Sequence, residues 1–143
     1  MSELSSDDLS LRGATVQQIQ LELIRRSSFN AFDGPEVVAA LSRHRKLWRA
    51  AWMTRTGVPN FDQPRSLLIA GMIPLRDLPD NIWNVDKLFL LCPTLDDCER
   101  IVALAEDEGW AGEPTIHRDE KELSYTLGSD PKREGYIVSF WWD

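Results

Sequence analysis

Residues 136–142, YIVSFWW, restrict the fold of this chain more than any other segment. In an extended strand successive side chains point to opposite faces. Tyr136, Val138, Phe140 and Trp142 then share one face, and Ile137 and Trp141 share the other, so neither face is polar. A strand of this kind belongs inside a sheet that is covered on both sides.

The rest of the chain offers elements to build around it. Residues 15–28 read as a helix opened by a T-x-x-Q capping box, Thr15 with Gln18, with Val16, Ile19 and Leu23 on its apolar side and Arg25 and Arg26 in its last turn. Residues 29–34, FNAFDG, break the chain. A second helix is expected from Pro35 to about Arg55, with Val37, Val38, Leu41, Trp48, Ala51 and Trp52 on one stripe and Arg43, Lys46 and Arg49 opposite. Residues 57–65, with two prolines, form a connection. Residues 66–73 and 86–91 are apolar enough for central strands. Thr94 caps a third helix whose buried face is Leu95, Cys98, Ile101, Val102 and Ala105, and Gly109 ends it. Residues 115–118 and 121–127 read as strands. In the latter, Leu123, Tyr125 and Leu127 alternate with Glu122, Ser124 and Thr126. Residues 128–135 then form a polar hairpin loop.

The order ααββαβββ makes an α+β domain of residues 14–143 after a mobile, Ser- and Asp-rich tail of residues 1–13. Two N-terminal helices precede a mostly antiparallel sheet of roughly four to five strands with one further helix. The unit from Asp86 through the third helix to the last strands resembles the β-α-β-β half of ferredoxin-like folds, a likeness of architecture that implies no activity.

Residues 74–87, PLRDLPDNIWNVDK, are the first candidate for function. They join two expected strands, yet they are too long and too polar for a tight hairpin. Arg76, Asp77, Asp80, Asn81, Trp83, Asn84 and Asp86 are its candidate binding residues, with Trp83 as an anchor of the type enriched at interfaces. Phe29, Asn30, Phe32 and Asp33 in the first break, together with His44 and His117, are secondary candidates. Asp77, Asp80 and Asp86 do not follow the spacing of a calcium loop, and two histidines are too few for a histidine-rich metal site. No nucleophile elbow, phosphate loop, dinucleotide fingerprint or zinc-protease motif is present, so no catalytic residue, metal or cofactor is assigned. Cys92 and Cys98, spaced C-x5-C, match neither a zinc half-site nor a redox motif and read as buried thiols.

Net charge is −7, and it is uneven. Residues 1–65 hold nine Lys/Arg against seven Asp/Glu, and residues 66–143 hold seven against sixteen. That balance argues against nucleic acid, which needs a positive surface, and leaves room for a basic protein partner or for self-association. The acidic start is unlike a secretory leader, and the longest apolar run, residues 67–75, is too short to cross a membrane. The expectation is a cytoplasmic, bacterial-type protein that acts as a non-enzymatic protein-binding or regulatory module through residues 74–87. The alternatives are a small hydrolase-like enzyme with a carboxylate/Arg site in that loop, and a nucleic-acid binder through the basic face of the second helix.

Overall fold

The computed structural model describes residues 10–54, 73–83 and 85–142, with the backbone alone at 29 and 73–76. Among these residues the chain is a mixed α+β structure. It has five α-helices, a two-stranded hairpin and an antiparallel four-stranded sheet. The expected strand over 66–73 and the connection over 57–65 lie outside the described residues, apart from Ile73, which opens a 3-10 helix.

Helix α1 (Val16–Arg26) forms where the capping box predicts it. Thr15 Oγ1 accepts from the Gln18 N–H at 3.1 Å, and Gln18 Oε1 accepts from the Thr15 N–H at 2.7 Å. Its buried side is Gln18, Leu21 and Ile24; Val16, expected on that side, is exposed. The break then folds as a tight hairpin, β1 (Ser28–Phe29) and β2 (Phe32–Asp33), turned at Asn30 with φ 48°. Asp33 caps α2 (Gly34–Arg43).

The second helix ends a dozen residues short of its expected stop, and the remainder becomes a strand. His44 leaves helical geometry, a 3-10 turn follows at Arg45–Leu47, and β3 runs over Ala50–Thr54. Trp48 explains the break. Its indole is buried, and its Nε1–H donates to the carbonyl of Leu41 at 3.0 Å, the same acceptor that the His44 N–H closes the helix on. Beyond it Ala51 and Met53 bury while Trp52 faces out, a period of two hidden within the helical stripe.

Strand β4 (Lys87–Cys92) and helix α3 (Leu95–Glu108) match expectation, with Thr94 as N-cap and Gly109 at φ 70° as the left-handed stop. Strand β5 (Glu113–His117) follows. The expected strand over 121–127 is instead helix α4 (Glu120–Leu127). Asp119 accepts from the Glu122 N–H at 3.0 Å, and Gly128 closes the other end at φ 66°. Of the three alternating side chains only Leu123 is buried, and Tyr125 is exposed, so alternation had no second face to serve. A short helix α5 (Pro131–Glu134) occupies the expected hairpin loop, and β6 (Tyr136–Trp141) completes the sheet.

The sheet order is β3-β4-β6-β5, antiparallel throughout. β6 is therefore an inner strand, as its sequence demands. Side chains from α1, α2, α3, β3, β4 and β6 form one continuous buried cluster on a single face. Each large aliphatic side chain buried there contributes on the order of 1.5–3 kcal/mol.

Gly34 sets the joint between α1 and α2. Its N–H donates to the Ser27 carbonyl at 3.0 Å, and a Cβ there would overlap the carbonyl oxygens of Ile24, Arg25 and Ser27. Gly34→Ala is expected to lower stability by about 2 kcal/mol or more in urea unfolding, because backbone cannot yield as a side chain can. Gly128→Ala, where a Cβ meets open space, is expected to cost only about 1 kcal/mol through its positive φ.

Candidate interaction surface

The second face of the sheet is covered only in part. Ile137 points away from the main cluster, yet it is 4% exposed. Leu123 of α4 is the one other buried hydrophobic residue outside that cluster among the described residues. Among the described residues the α4–α5 connection is the part left to cover this end. Towards the other end the face opens. Trp52 is 48% exposed and Trp141 41% exposed.

The strand register puts these groups together. Trp52 pairs with Phe89, Phe89 with Ser139, and Ser139 with Thr115, making one row across all four strands. Thr54, Lys87, Trp141 and Glu113 make the next row. Trp52 and Trp141 thus stand diagonally across β4, with Phe89 and Lys87 between them. The Trp52 and Phe89 ring centroids are 6.3 Å apart, within the range of aromatic pairs. Asp86 fixes the upper corner. It accepts from Trp141 Nε1–H at 3.3 Å and pairs with the Lys87 ammonium at 3.4 Å. His117 fixes the lower one: its Nε2 and Ser139 Oγ lie 2.7 Å apart, and its ring is 6.5 Å from that of Phe89.

The candidate residues therefore separate. Asp86 and His117 belong to this face. In the 74–87 segment, the backbone winds as a 3-10 helix over Ile73–Asp80 and turns at Asn81, φ 61°. The Asn81 and Ile82 N–H groups donate to the carbonyls of Leu78 and Asp77. Asp80 and Asn81 face solvent, and Asp77 is half-buried. Trp83 leans onto the core with its Nε1 buried and without a partner among the described residues. It forms, with Leu23, Arg26, Leu78, Asn81 and Ile82, the walls of a shallow groove of about 450 Å3. The Arg76 side chain and Asn84 lie outside the described residues.

Of the other secondary candidates, Phe32 is buried edge-on against Trp142, Asp33 is spent as a helix cap, Asn30 forms the hairpin turn and His44 ends α2. Phe29 sits in β1, with only its backbone described. The three cations expected on one helix face are dispersed. Arg43 pairs with Glu108, and Arg49 binds the Glu134 carbonyl at 2.7 Å, while Lys46 lies in the 3-10 turn between them. Cys92 and Cys98 are both free and buried. The hydrogen bond that the Cys92 thiol donates to Cys98, together with burial, pushes the Cys92 thiol well above its ordinary value.

Trp52, Phe89, Trp141 and Ser139 escape the sequence reading. The signal was available for Trp141: two adjacent tryptophans in one strand must point to opposite faces. No protein-family model, curated protein or solved structure matches the chain.

Burial holds the His117 imidazole below its ordinary value of 6.5. The unfolded chain then binds this proton first as pH falls, so the group's stabilisation is complete above that value and is lost through the window beneath it. Glu22 and Glu134, held below 4.5 by their arginine partners, act at lower pH. The urea midpoint is therefore expected to fall between about pH 7.5 and 5.5, and His117→Gln is expected to remove most of that fall. An unchanged slope in the variant would show that His117 titrates alike in both states.

Proposed function

We propose that this chain is a non-enzymatic protein-binding module and that the open half of its second sheet face is the recognition surface. The observation that carries this reading is the pair of half-exposed tryptophans on one rigid sheet, with Phe89 between them. Tryptophan is prominent among the residues that dominate binding energy, and a sheet presents it without the ordering cost of a loop. Asp86, Lys87, Ser139 and His117 surround the aromatic centre with hydrogen-bonding groups, which is the arrangement of an apolar centre and polar rim.

The occupant is another folded protein with a matching apolar patch. A nucleic acid would also stack on aromatic side chains, but it needs cations beside them. Lys87 is neutralised by Asp86, and Glu113 adds a negative charge in the same row. A hydrolase would need more than the His117–Ser139 contact. Among the described residues no third group orients the imidazole, so the pair serves better as a fixed polar contact than as a nucleophile and its base. Within the 74–87 candidate segment, Trp83 is committed largely to packing on the core.

Trp52→Ala with Trp141→Ala is expected to keep the fold, because exposed cross-strand pairs are worth no more than about 1 kcal/mol each. It is expected to weaken partner binding by about thirtyfold or more, the effect of losing one hot-spot residue or two. The measurement is capture from lysate followed by hydrogen exchange on the purified complex. Tyr125→Ala, exposed on α4, is the control. Protection confined to β3, β4 and β6, lost in the tryptophan variant and kept in the control, supports the reading. Equal recovery by both variants, or protection elsewhere, overturns it. Sedimentation of the chain alone reveals the case in which the partner is a second copy.

A further inference from the structure

The two edges of the sheet are treated differently. A bond at the end of β6 settles which backbone groups point outward. Trp142 N–H donates to the Asp86 carbonyl at 3.2 Å, on the β4 side. Backbone groups alternate along a strand, so Ile137, Ser139 and Trp141 turn towards β5. Their partners are His117, Thr115 and Glu113. The N–H of Ile116 and the carbonyls of Pro114 and Ile116 then point out of the sheet. Pro114, which has no N–H to give, sits at an outward position, where an edge strand tolerates it.

At the opposite edge the outward groups of Ala51 are closed off. Gln17 reaches over from α1, its Nε2 donating to the Ala51 carbonyl and its Oε1 accepting from the Ala51 N–H, both at 2.9 Å. A side-chain amide thus stands in for a neighbouring strand. Nothing among the described residues does this for β5.

Beside the open edge the layer between helix and sheet is incomplete. Val102, Ala105, Glu106 and Gly109 of the α3 end and Ala111, Gly112 and Pro114 surround a groove of about 380 Å3 with Phe140 at its base. Small residues leave this space. Gly112 is held small by Trp142, whose ring a Cβ would approach to 2.7 Å. A strand laid along β5 would point every second side chain to the α3 side of the sheet, where the groove lies.

The charge around this edge is mostly negative. The last turn of α3 holds Glu106, Asp107 and Glu108 and no base, at the end where the helix carbonyls are already negative. Glu108 is paired with Arg43. Glu106, Asp107 and Glu113 have no ion-pair partner among the described residues. Arg118, just past β5, is 3.8 Å from Glu99.

We infer that β5 accepts an extended segment of a partner by strand addition, and that this segment alternates apolar and basic residues. The apolar side chains enter the groove over Phe140. The basic ones meet Glu113 on the other face, while Glu106 at the groove's rim and Asp107 beside it add to the negative field around the edge. Main-chain bonds to Pro114 and Ile116 give affinity, and groove and charge give specificity, as in other edge-strand recognition. The site lies at the far edge from Trp52 and shares with the tryptophan face only Glu113, the cross-strand neighbour of Trp141.

The probe is a capped hexapeptide alternating Lys and Val, compared with its Glu/Val counterpart by fluorescence anisotropy, and with amide exchange followed residue by residue. The Lys/Val peptide is expected to bind, more weakly as salt rises, and to slow exchange of the Ile116 N–H. The Glu/Val peptide is expected not to bind. Glu106→Lys with Glu113→Lys, both exposed positions, is expected to weaken the Lys/Val peptide by about tenfold. Trp52→Ala with Trp141→Ala is expected to leave it unchanged, so this inference and the proposed function fail separately. Absence of binding at millimolar peptide overturns the inference, as does equal binding of the Glu/Val peptide or binding without protection of Ile116. The salt titration and exchange data come from the native chain, so the test does not depend on the variant folding.

Discussion

The indole of Trp142 is where the separate parts of the molecule become one core. Its backbone N–H continues the β4–β6 ladder beyond the last strand residue by bonding to Asp86. Its ring meets Phe32 of the hairpin edge-on at 4.5 Å, and its Nε1–H donates to the Trp110 carbonyl at 2.5 Å. The hairpin between α1 and α2, the exit from α3 and the last strand are therefore held by one side chain. The cost falls on the α3 exit. Ala111 takes φ 59°, a conformation that disfavours a Cβ by roughly 1–2 kcal/mol, and Gly112 has to lack one altogether. A fully buried tryptophan of this size offsets that strain, since aromatic side chains bury about 150–250 Å2 each.

Committing Trp142 inward forces Trp141 outward, and this links the core to the surface. A strand cannot bury two adjacent tryptophans without helices on both sides. Among the described residues α1, α2 and α3 lie on one side, which leaves the α4–α5 connection for the other. The exposed aromatic face is thus a consequence of how helices are distributed, and its exact position follows from register. One residue of slip would turn Trp52, Phe89 and Trp141 into the core and Met53, Leu88 and Phe140 into water. The open face is as well specified as the core because the same pairing defines both.

The legible parts of the sequence were those where local chemistry and tertiary burial agree. Thr15 with Gln18, and Thr94 with Gly109, mark helix ends by satisfying backbone groups, and the structure uses them as such. The inner position of β6 was legible because no other environment suits seven such residues. Two errors share a cause. Residues 48–52 carry apolar groups at spacings that fit both periods, and only Trp48 capping the helix end and the pairing of β3 with β4 decide between them. Residues 121–127 alternate as a strand does, but Asp119 with Glu122 is an N-terminal signature, and a single buried Leu123 is enough to hold two turns. The tryptophan face could not be read because it depends on which strands become neighbours, and β4 lies beside β6 across more than forty residues of intervening chain.

Charge completes the picture. Four of the nine cations of the first half are paired within the fold: Arg25 and Arg26 on Glu22, Arg43 on Glu108, Arg49 on Glu134. Part of the negative surplus of the second half, Glu106, Asp107 and Glu113, lies where α3 ends and β5 begins. Exposed pairs of this kind stabilise little, so their main effect is on the field outside the molecule. Among the described residues the sheet thus carries two unlike surfaces, an aromatic face around the Trp52–Phe89 pair and an edge at β5 flanked by Glu106, Asp107 and Glu113. On the proposed reading the first would select by shape and desolvation, the second by charge and main-chain pairing.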